Sequence, residues 1–405
     1  MSRTIVIAGA SVAGARAAET LRAEGFDGRL VLVGAEQEPP YERPPLSKGF
    51  LQGTVSEDDF RLHDTNWYTE QGIDLRLGTR AVSLDITAKI IRLDTDEALN
   101  YDQLLIATGA TPRRLAIPGS DLAGIHYLRS LADARAIRER LESAKGVVIV
   151  GMGFIGAEIA AVARQAGKQV VALEAGELPM LAALGHEVAT RMAGIHRTHG
   201  VDLRLNDGVT ALRGADHVTQ VITASGATID CDLVIVGIGV KPATTWLDGS
   251  GVQIERGVVV DEFCRTNVAD IFAAGDVARA WHPGYGEYLL VEHFDNAGNQ
   301  GAAAAKSMLG MGEPYAPLPY FWSDQYDLSL QFAGHNAGHD QVITRGTAES
   351  GSWSAFYLRE GHFAAALSVN RFKDFSAARR LLRAGKDVSA EQLADELVEL
   401  KTLLR

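Results

Sequence analysis

Cysteine is almost missing from this chain. Among 405 residues only Cys231 and Cys264 carry thiols, far apart in sequence and in no CxxC pair. Iron–sulfur clusters usually take four thiolates, so a cluster held by the chain itself is not expected, nor any other metal. The two thiols read as buried and inert. Long apolar runs are also lacking. No stretch reaches the roughly 18 uninterrupted apolar residues that suggest a membrane span, so no membrane partner is expected. Basic residues are outnumbered, 39 Lys and Arg against 51 Asp and Glu, for a formal net charge of −12. An acidic chain argues against nucleic acid as the main partner. The opening MSRTIVIAGA enters an apolar strand at once and leaves no room for a secretory leader. The cytoplasm is the default expectation.

Glycine is in excess, at 42 residues against a usual share of roughly 7%. Much of it falls where apolar strands meet helical segments, and the pattern repeats. Residues Thr4–Gly34 read as strand, small-residue turn, helix and second strand, and Gly146–Glu174 do so again. Each is the size of a βαβ unit that opens a dinucleotide-binding fold. Each copy later returns with an apolar strand ending in glycine, Asp102–Gly109 and Asp232–Gly239, and Asp270–Ala278 adds a further buried strand. Two nucleotide domains are expected, the second inserted into the first, with crossings near Thr111–Pro118 and Lys241–Ala243. From about Tyr320 the character changes. Leu328–Phe332, Gln341–Arg345, Ser352–Leu358 and His362–Ser368 read as strands, and Glu391–Leu404 as a closing amphipathic helix.

The second turn is a complete GxGxxG, with Gly151, Gly153 and Gly156 around Phe154 and Ile155 and with Glu158 just beyond. The glycines allow a tight turn, approach of a pyrophosphate and close helix–strand packing. The helix N-terminus offers free N–H groups and a positive dipole end. Glu174 follows the second strand, where a carboxylate meets the adenosine ribose. Glu177 follows it, with no cation between, which favours NAD over NADP. Gly237 and Gly239 close the return strand and join this NAD set. The first turn reads Gly9, Ser11, Gly14, and Glu36 follows its second strand. Serine in the middle is acceptable if its φ is negative and its side chain turns from the phosphate. Two dinucleotide sites suggest FAD paired with a nicotinamide cofactor. NADH delivers two electrons as a hydride, and flavin can release them singly.

The stretches Tyr41–Lys48 (YERPPLSK), Ala107–Pro112 (ATGATP), Ile271–Val277 (IFAAGDV) and Tyr320–Tyr326 (YFWSDQY) carry a resemblance over the whole chain. The sequence resembles the FAD-dependent NADH:ferredoxin reductases of oxygenase systems, the putidaredoxin reductase-like family. The resemblance implies an α/β fold of two Rossmann-like domains, glutathione-reductase-like, plus a C-terminal α+β domain. Residues 1–112 and 242–318 would form the FAD domain, 113–241 the NAD domain and 319–405 the interface domain. Ala13, Glu36, Arg43, Lys48, Val82, Arg129, Asp276 and Phe294 match positions that hold non-covalent FAD, and Thr108 is grouped with them. Trp322 would lie beside the isoalloxazine, and Lys48 and Glu158 would pair near the reacting flavin face. His293, just before an expected helix over Ala297–Leu309, either presents its backbone to the flavin or is an ordinary exposed or capping residue. Many relatives carry an arginine soon after the position of Glu174, and this chain does not. Related disulfide reductases carry a cysteine pair after the first βαβ unit. Here that region, YERPPLSKGF, has none.

The implied reaction is NADH + 2 oxidised ferredoxin → NAD⁺ + 2 reduced ferredoxin + H⁺. Its acceptor would be a [2Fe–2S] ferredoxin serving a cytochrome P450 or an aromatic-ring dioxygenase. Rubredoxin or dioxygen as acceptor, and a redox-sensed binding role like that of apoptosis-inducing factor, stay open as alternatives. Against the acidic trend, Asn370–Lys386 holds Arg371, Lys373, Arg379, Arg380, Arg383 and Lys386 with one acid, Asp374. The first five are expected to form a basic face for an acidic ferredoxin.

Overall fold

The computed structural model describes residues 3–404, which divide into two compact units. One comprises the chain through Pro44, Ser56–Thr111 and Val240–Pro317. The other comprises Pro45–Val55, Pro112–Gly239 and the chain from Leu318 onward. The longer helices, in chain order, are α1 (Val12–Ala23), α2 (Leu131–Ser143), α3 (Phe154–Gln165), α4 (Leu181–Thr198), α5 (Phe294–Met308) and α6 (Phe372–Arg383).

In the first unit five strands form a parallel sheet in the order Ile271–Ala273, Gln103–Ile106, Thr4–Ala8, Arg29–Val33, Ile73–Arg76. Alternation along the strands sorts its two faces. Ile5, Ile7 and Leu105 meet Ala17, Ala18 and Leu21 of α1 and Ala304, Ala305 and Met308 of α5. Val6, Val31 and Ile106 meet Leu84, Ile91 and Leu93 of a small antiparallel sheet. Helix α5 starts at Phe294, three residues before its expected start, because His293 is still extended (φ −112°, ψ 144°) and acts as its N-cap.

The second unit repeats the plan. Its parallel order is Asp202–Leu205, Gln169–Glu174, Gly146–Val150, Leu233–Val236, Ile125–Tyr127. Helix α3 reads FIGAEIAAVARQ, and its small and apolar residues are buried along most of its length. The same unit carries a five-stranded antiparallel sheet ordered Tyr320–Gln325, Leu328–Gly334, His362–Val369, Ser352–Arg359, Gln341–Thr347. Helix α6 packs on it through Ala377, Ala378 and Leu381 against Phe356, Leu358 and Ala366.

The expected helix over Glu391–Leu404 is not continuous. A short helix, Ala390–Ala394, ends at Asp395 in extended backbone (φ −71°, ψ 108°), and only a tight 3₁₀ stretch, Leu400–Leu404, follows. The buried Arg345 donates to the carbonyls of Glu396 (3.4 Å) and Val398 (2.6 Å), and the Asp395 carboxylate accepts from Leu397 N at 2.9 Å. A guanidinium removed from water needs acceptors. That need outweighs the local helical periodicity.

Candidate active site

In the first unit the glycine turn delivers the chain into α1 with Ser11 as N-cap, at φ −120° and ψ −163°. The backbone is extended with negative φ, as the serine variant requires, and no side chain caps the helix. Its first N–H groups therefore stay open to an anion. Gly14 permits the close turn, since a Cβ there would lie 1.9 Å from Gly9 O. Ala13 is buried beside Gly275, whose Cβ would stand 3.0 Å from its own, and Asp276 follows. The Thr108 hydroxyl donates to Ala243 O at 2.9 Å.

Glu36 accepts from Tyr41 Oη at 2.5 Å and from Arg43 at 2.6 Å. Burial alone would lower the pKa of Arg43, but Tyr41, Glu36 and Asp276 outweigh it and raise the value. Burial pushes His293 down to about 4 despite the Asp276 charge, so it is neutral at pH 7, and Phe294 opens α5 directly after it. The structure thus links Gly9, Ser11, Ala13, Gly14, Glu36, Arg43, Thr108, Asp276 and Phe294 within one unit. Val82 is the extra residue of a bulge in the small sheet, with its side chain exposed. Lys48, Arg129 and Trp322, expected with the same set, belong to the second unit. There Arg129 N donates to Asp133 Oδ2 at 3.1 Å ahead of α2.

The second unit has the matching turn. A Cβ on Gly156 would lie 2.0 Å from Gly151 O. Gly153 is the N-cap of α3, at φ −70° and ψ −175°, again with no side-chain cap, and no atom lies within 4 Å of the place its Cβ would take. Phe154 and Ile155 form the first turn, with Ile155 exposed. Glu174 is fixed at the turn, accepting from Met152 N (2.9 Å) and Gly176 N (2.8 Å). The return strand closes with Gly237 N donating to Val150 O at 2.7 Å, and Gly239 O accepts from Arg113 N at 2.9 Å.

Five residues into α3, Glu158 is only 2% exposed. Lys48 Nζ stands 2.8 Å from its Oε2, the Ser47 hydroxyl donates to the same oxygen, and Ser323 Oγ donates to Oε1 at 2.6 Å. A glutamate in the first turns of a helix is favourable at the surface through the dipole. This one is inside, in an ion pair, so capping does not account for it. Buried ion pairs repay their desolvation poorly, which makes stability a weak reason for the pair. Ser47 and Ser323 were not singled out from sequence, although both sit in the stretches that carry the resemblance. Strand alternation explains Ser323. Tyr320 and Trp322 stack on one face (6.0 Å between ring centroids), while Phe321 meets Phe154 of α3 at 4.8 Å and Ser323 follows on that same face.

The structure divides the basic segment. Arg371 pairs with Asp374 (2.8 Å) and Glu396 (2.9 Å). Arg379 lies over the rings of Tyr320 (4.6 Å) and Phe375 (5.8 Å). Lys373, Arg380 and Arg383 are exposed on α6, beside an exposed Phe372. The expected five-residue face is thus a three-cation face with two cations held inward, because α6 buries its apolar side and takes Arg379 with it.

Both thiols are buried. Burial, reinforced by Asp232 and Asp230 for Cys231 and by Asp261 for Cys264, pushes each up to about 12. Among the described residues no helix is long and apolar enough to cross a membrane, and no cluster of His, Cys, Asp and Glu is placed to hold a metal ion.

Residues 3–301 match the family model of pyridine nucleotide-disulphide oxidoreductases, and residues 320–404 match that of the reductase C-terminal domain. The chain is 38% identical to rhodocoxin reductase of Rhodococcus erythropolis, over 98% of this chain and 93% of that protein. It is 38% identical to the ferredoxin–NAD(+) reductase component of the biphenyl dioxygenase system of Paraburkholderia xenovorans, over 100% of this chain and 99% of that one. The solved putidaredoxin reductase in its covalent complex with putidaredoxin superposes with a TM-score of 0.96 at 32% identity, covering 99% of this chain and 98% of that chain. The chain belongs to the pyridine nucleotide-disulphide oxidoreductase family and, within it, to the ferredoxin–NAD(+) reductases of oxygenase systems.

Proposed function

We propose that the chain oxidises NADH through a non-covalent FAD and passes the electrons singly to a [2Fe–2S] ferredoxin that serves an oxygenase. The observation that carries this reading is the pair of matched, uncapped glycine turns, each with its carboxylate, in a chain whose thiols are closed to chemistry. A thiol relay needs an accessible, low-pKa cysteine. Cys231 and Cys264 are buried and their thiols are pushed up to about 12, so electrons must leave the flavin directly. The relatives named for ferredoxin reduction support the same acceptor class.

The first unit fits FAD by the chemistry of its donors. The open N–H groups behind Ser11 suit a pyrophosphate, Glu36 suits ribose hydroxyls, and Arg43 and Asp276 suit the polar chain between. When bound there, FAD would supply the means to accept a two-electron hydride and to release single electrons. In the second unit, the open side of Gly153 leaves room for the NADH pyrophosphate and Glu174 for its ribose. Hydride transfer requires no general acid, so Lys48 and Glu158 act by charge and orientation, and Trp322 supplies an aromatic wall. Lys373, Arg380 and Arg383 steer an acidic ferredoxin to the C-terminal antiparallel sheet. The test is steady-state turnover with NADH and purified [2Fe–2S] ferredoxin, rubredoxin or dioxygen alone. The ferredoxin should be reduced fastest. Faster reduction of rubredoxin, or rapid oxidase turnover, would replace this acceptor assignment.

A further inference from the structure

The carboxylate of Glu158 is the end of a line of buried hydrogen bonds. Ser323 Oγ lies 2.6 Å from Glu158 Oε1. Gln325 Nε2 lies 3.1 Å from Ser323 Oγ, Gln325 Oε1 lies 3.0 Å from His196 Nε2, and His196 Nδ1 lies 2.9 Å from Tyr326 Oη. Ser323, Gln325 and His196 are at most 1% exposed. Tyr326 reaches the outer end, stacked at 3.7 Å on the exposed His199.

Valence fixes the direction of every bond. A carboxylate only accepts, so the single hydroxyl proton of Ser323 goes to Glu158. Ser323 Oγ must then accept from Gln325, which turns the amide N–H toward it and the amide oxygen toward His196. His196 Nε2 must therefore carry the proton, and its Nδ1 must accept from Tyr326. Burial holds the His196 pKa down at about 4, in keeping with a neutral ring of one tautomer. The line is not a proton wire, because the Gln325 amide passes no proton readily. Hydride transfer also consumes none. What the line supplies is a fixed donor on Oε1, so that Oε2 is left to Ser47 and Lys48.

We infer that Ser323, Gln325 and His196 are positioning residues for hydride transfer, acting through Glu158 by holding its carboxylate in one orientation. This rests on the reading of Glu158 as part of the hydride-transfer site. As NADH becomes NAD⁺ its ring gains positive charge, and a carboxylate of fixed orientation stabilises that charge without reorganising.

The test uses the FAD-loaded enzyme, mixed rapidly with NADH without oxygen. Ser323→Ala should slow flavin reduction about tenfold, the scale of one hydrogen bond to a charged group, and Ser323→Thr should restore it. Gln325→Leu should slow it by a smaller factor. All three should retain FAD and fold; Ser323→Ala and Gln325→Leu leave buried partners unsatisfied and should lower Tm by several degrees, whereas Ser323→Thr should melt closer to wild type. In a Glu158→Gln background neither Ser323→Ala nor Gln325→Leu should slow reduction further, since residues acting through one group are not additive. Histidine ¹⁵N shifts should assign the Nε2–H tautomer to His196, a reading independent of turnover. If Glu158→Gln slows reduction while Ser323→Ala and Gln325→Leu do not, the positioning role is overturned and the reading of Glu158 stands. Additive losses in the Glu158→Gln background, or the Nδ1–H tautomer, overturn it as well. If Glu158→Gln reduces at the wild-type rate, the reading of Glu158 itself fails.

Discussion

Arg379 and Arg380 are neighbours in sequence but should fail in different ways when changed. The exposed Arg380 and Arg383 lie one turn apart on α6, with Lys373 along the same helix. Two unit charges about 10 Å apart attract by roughly 0.4 kcal/mol in water, and one Debye length of salt leaves about a third of that. Reversing Arg380 and Arg383 to Glu shifts the face by about four charges. Against a partner face of about three carboxylates this removes ~1.8 kcal/mol, or roughly twentyfold in encounter rate near 0.1 M salt, and more at lower salt. The double variant should melt like wild type, because exposed substitutions usually change stability by about 0.5 kcal/mol or less. Arg379→Glu instead removes a cation from the rings of Tyr320 and Phe375, worth about 0.5–2 kcal/mol, and sets an anion against their faces. It should lower Tm by several degrees, at roughly 2–4 °C per kcal/mol for a unit of this size. The assay pairs ferredoxin reduction with NADH–ferricyanide turnover at about 0.05 and 0.3 M salt. Arg380→Glu with Arg383→Glu should lose only the ferredoxin rate, and the loss should shrink at high salt. Normal ferredoxin reduction by that variant at low salt would refute docking on α6, and an unchanged Tm for Arg379→Glu would refute its inward role.

Glu174→Ala should narrow a preference for NADH over NADPH that is expected to exceed about tenfold in kcat/KM, or ~1.4 kcal/mol; equal use of both by the wild type would remove the argument. Gly156→Ala places a Cβ 2.0 Å from Gly151 O and should destabilise by about 1–3 kcal/mol or more, whereas Gly153→Ala meets nothing within 4 Å and should keep its Tm while raising the Kd for NADH at least about tenfold. Isothermal titration and thermal melts separate these, and unchanged NADH affinity in Gly153→Ala would count against the pyrophosphate site. His196 and His293 are held down at about 4 from 6.5, so the unfolded chain takes up protons first on acidification. Stability should be full above about pH 6.5 and fall toward pH 4, and His196→Gln should flatten that slope in a Tm–pH series; an unaltered slope would contradict the burial argument.

The parts of this molecule that were legible in sequence are those set by local rules. Both parallel sheets follow from apolar strands joined through glycine turns, and the turns themselves are visible because only hydrogen fits at Gly14 and Gly156. Four strands of the C-terminal antiparallel sheet followed from the strand-length segments Leu328–Phe332, Gln341–Arg345, Ser352–Leu358 and His362–Ser368. What failed was set by distant partners. The closing helix broke because Arg345, some fifty residues earlier in the chain, takes the carbonyls of Glu396 and Val398. The basic segment divided because Tyr320 and Phe375 lie under Arg379.

The candidate site shows the same division more sharply. Glu158 and Lys48 were paired only through a resemblance, since nothing in either segment announces the other 110 positions away. Ser323 and Gln325 alternate on one face of a strand that a sequence can suggest, but the direction of their hydrogen bonds follows only once the carboxylate at the end of the line is known to accept. His196 carries no signal of its own. On an amphipathic helix it reads as one more polar residue, and only its burial between Gln325 and Tyr326 fixes its tautomer. A polar line of this kind is costly if any one member is left unsatisfied. That cost binds residues on three separate chain segments into one unit, so the consequence of changing any of them should be read at Glu158 rather than at the residue changed.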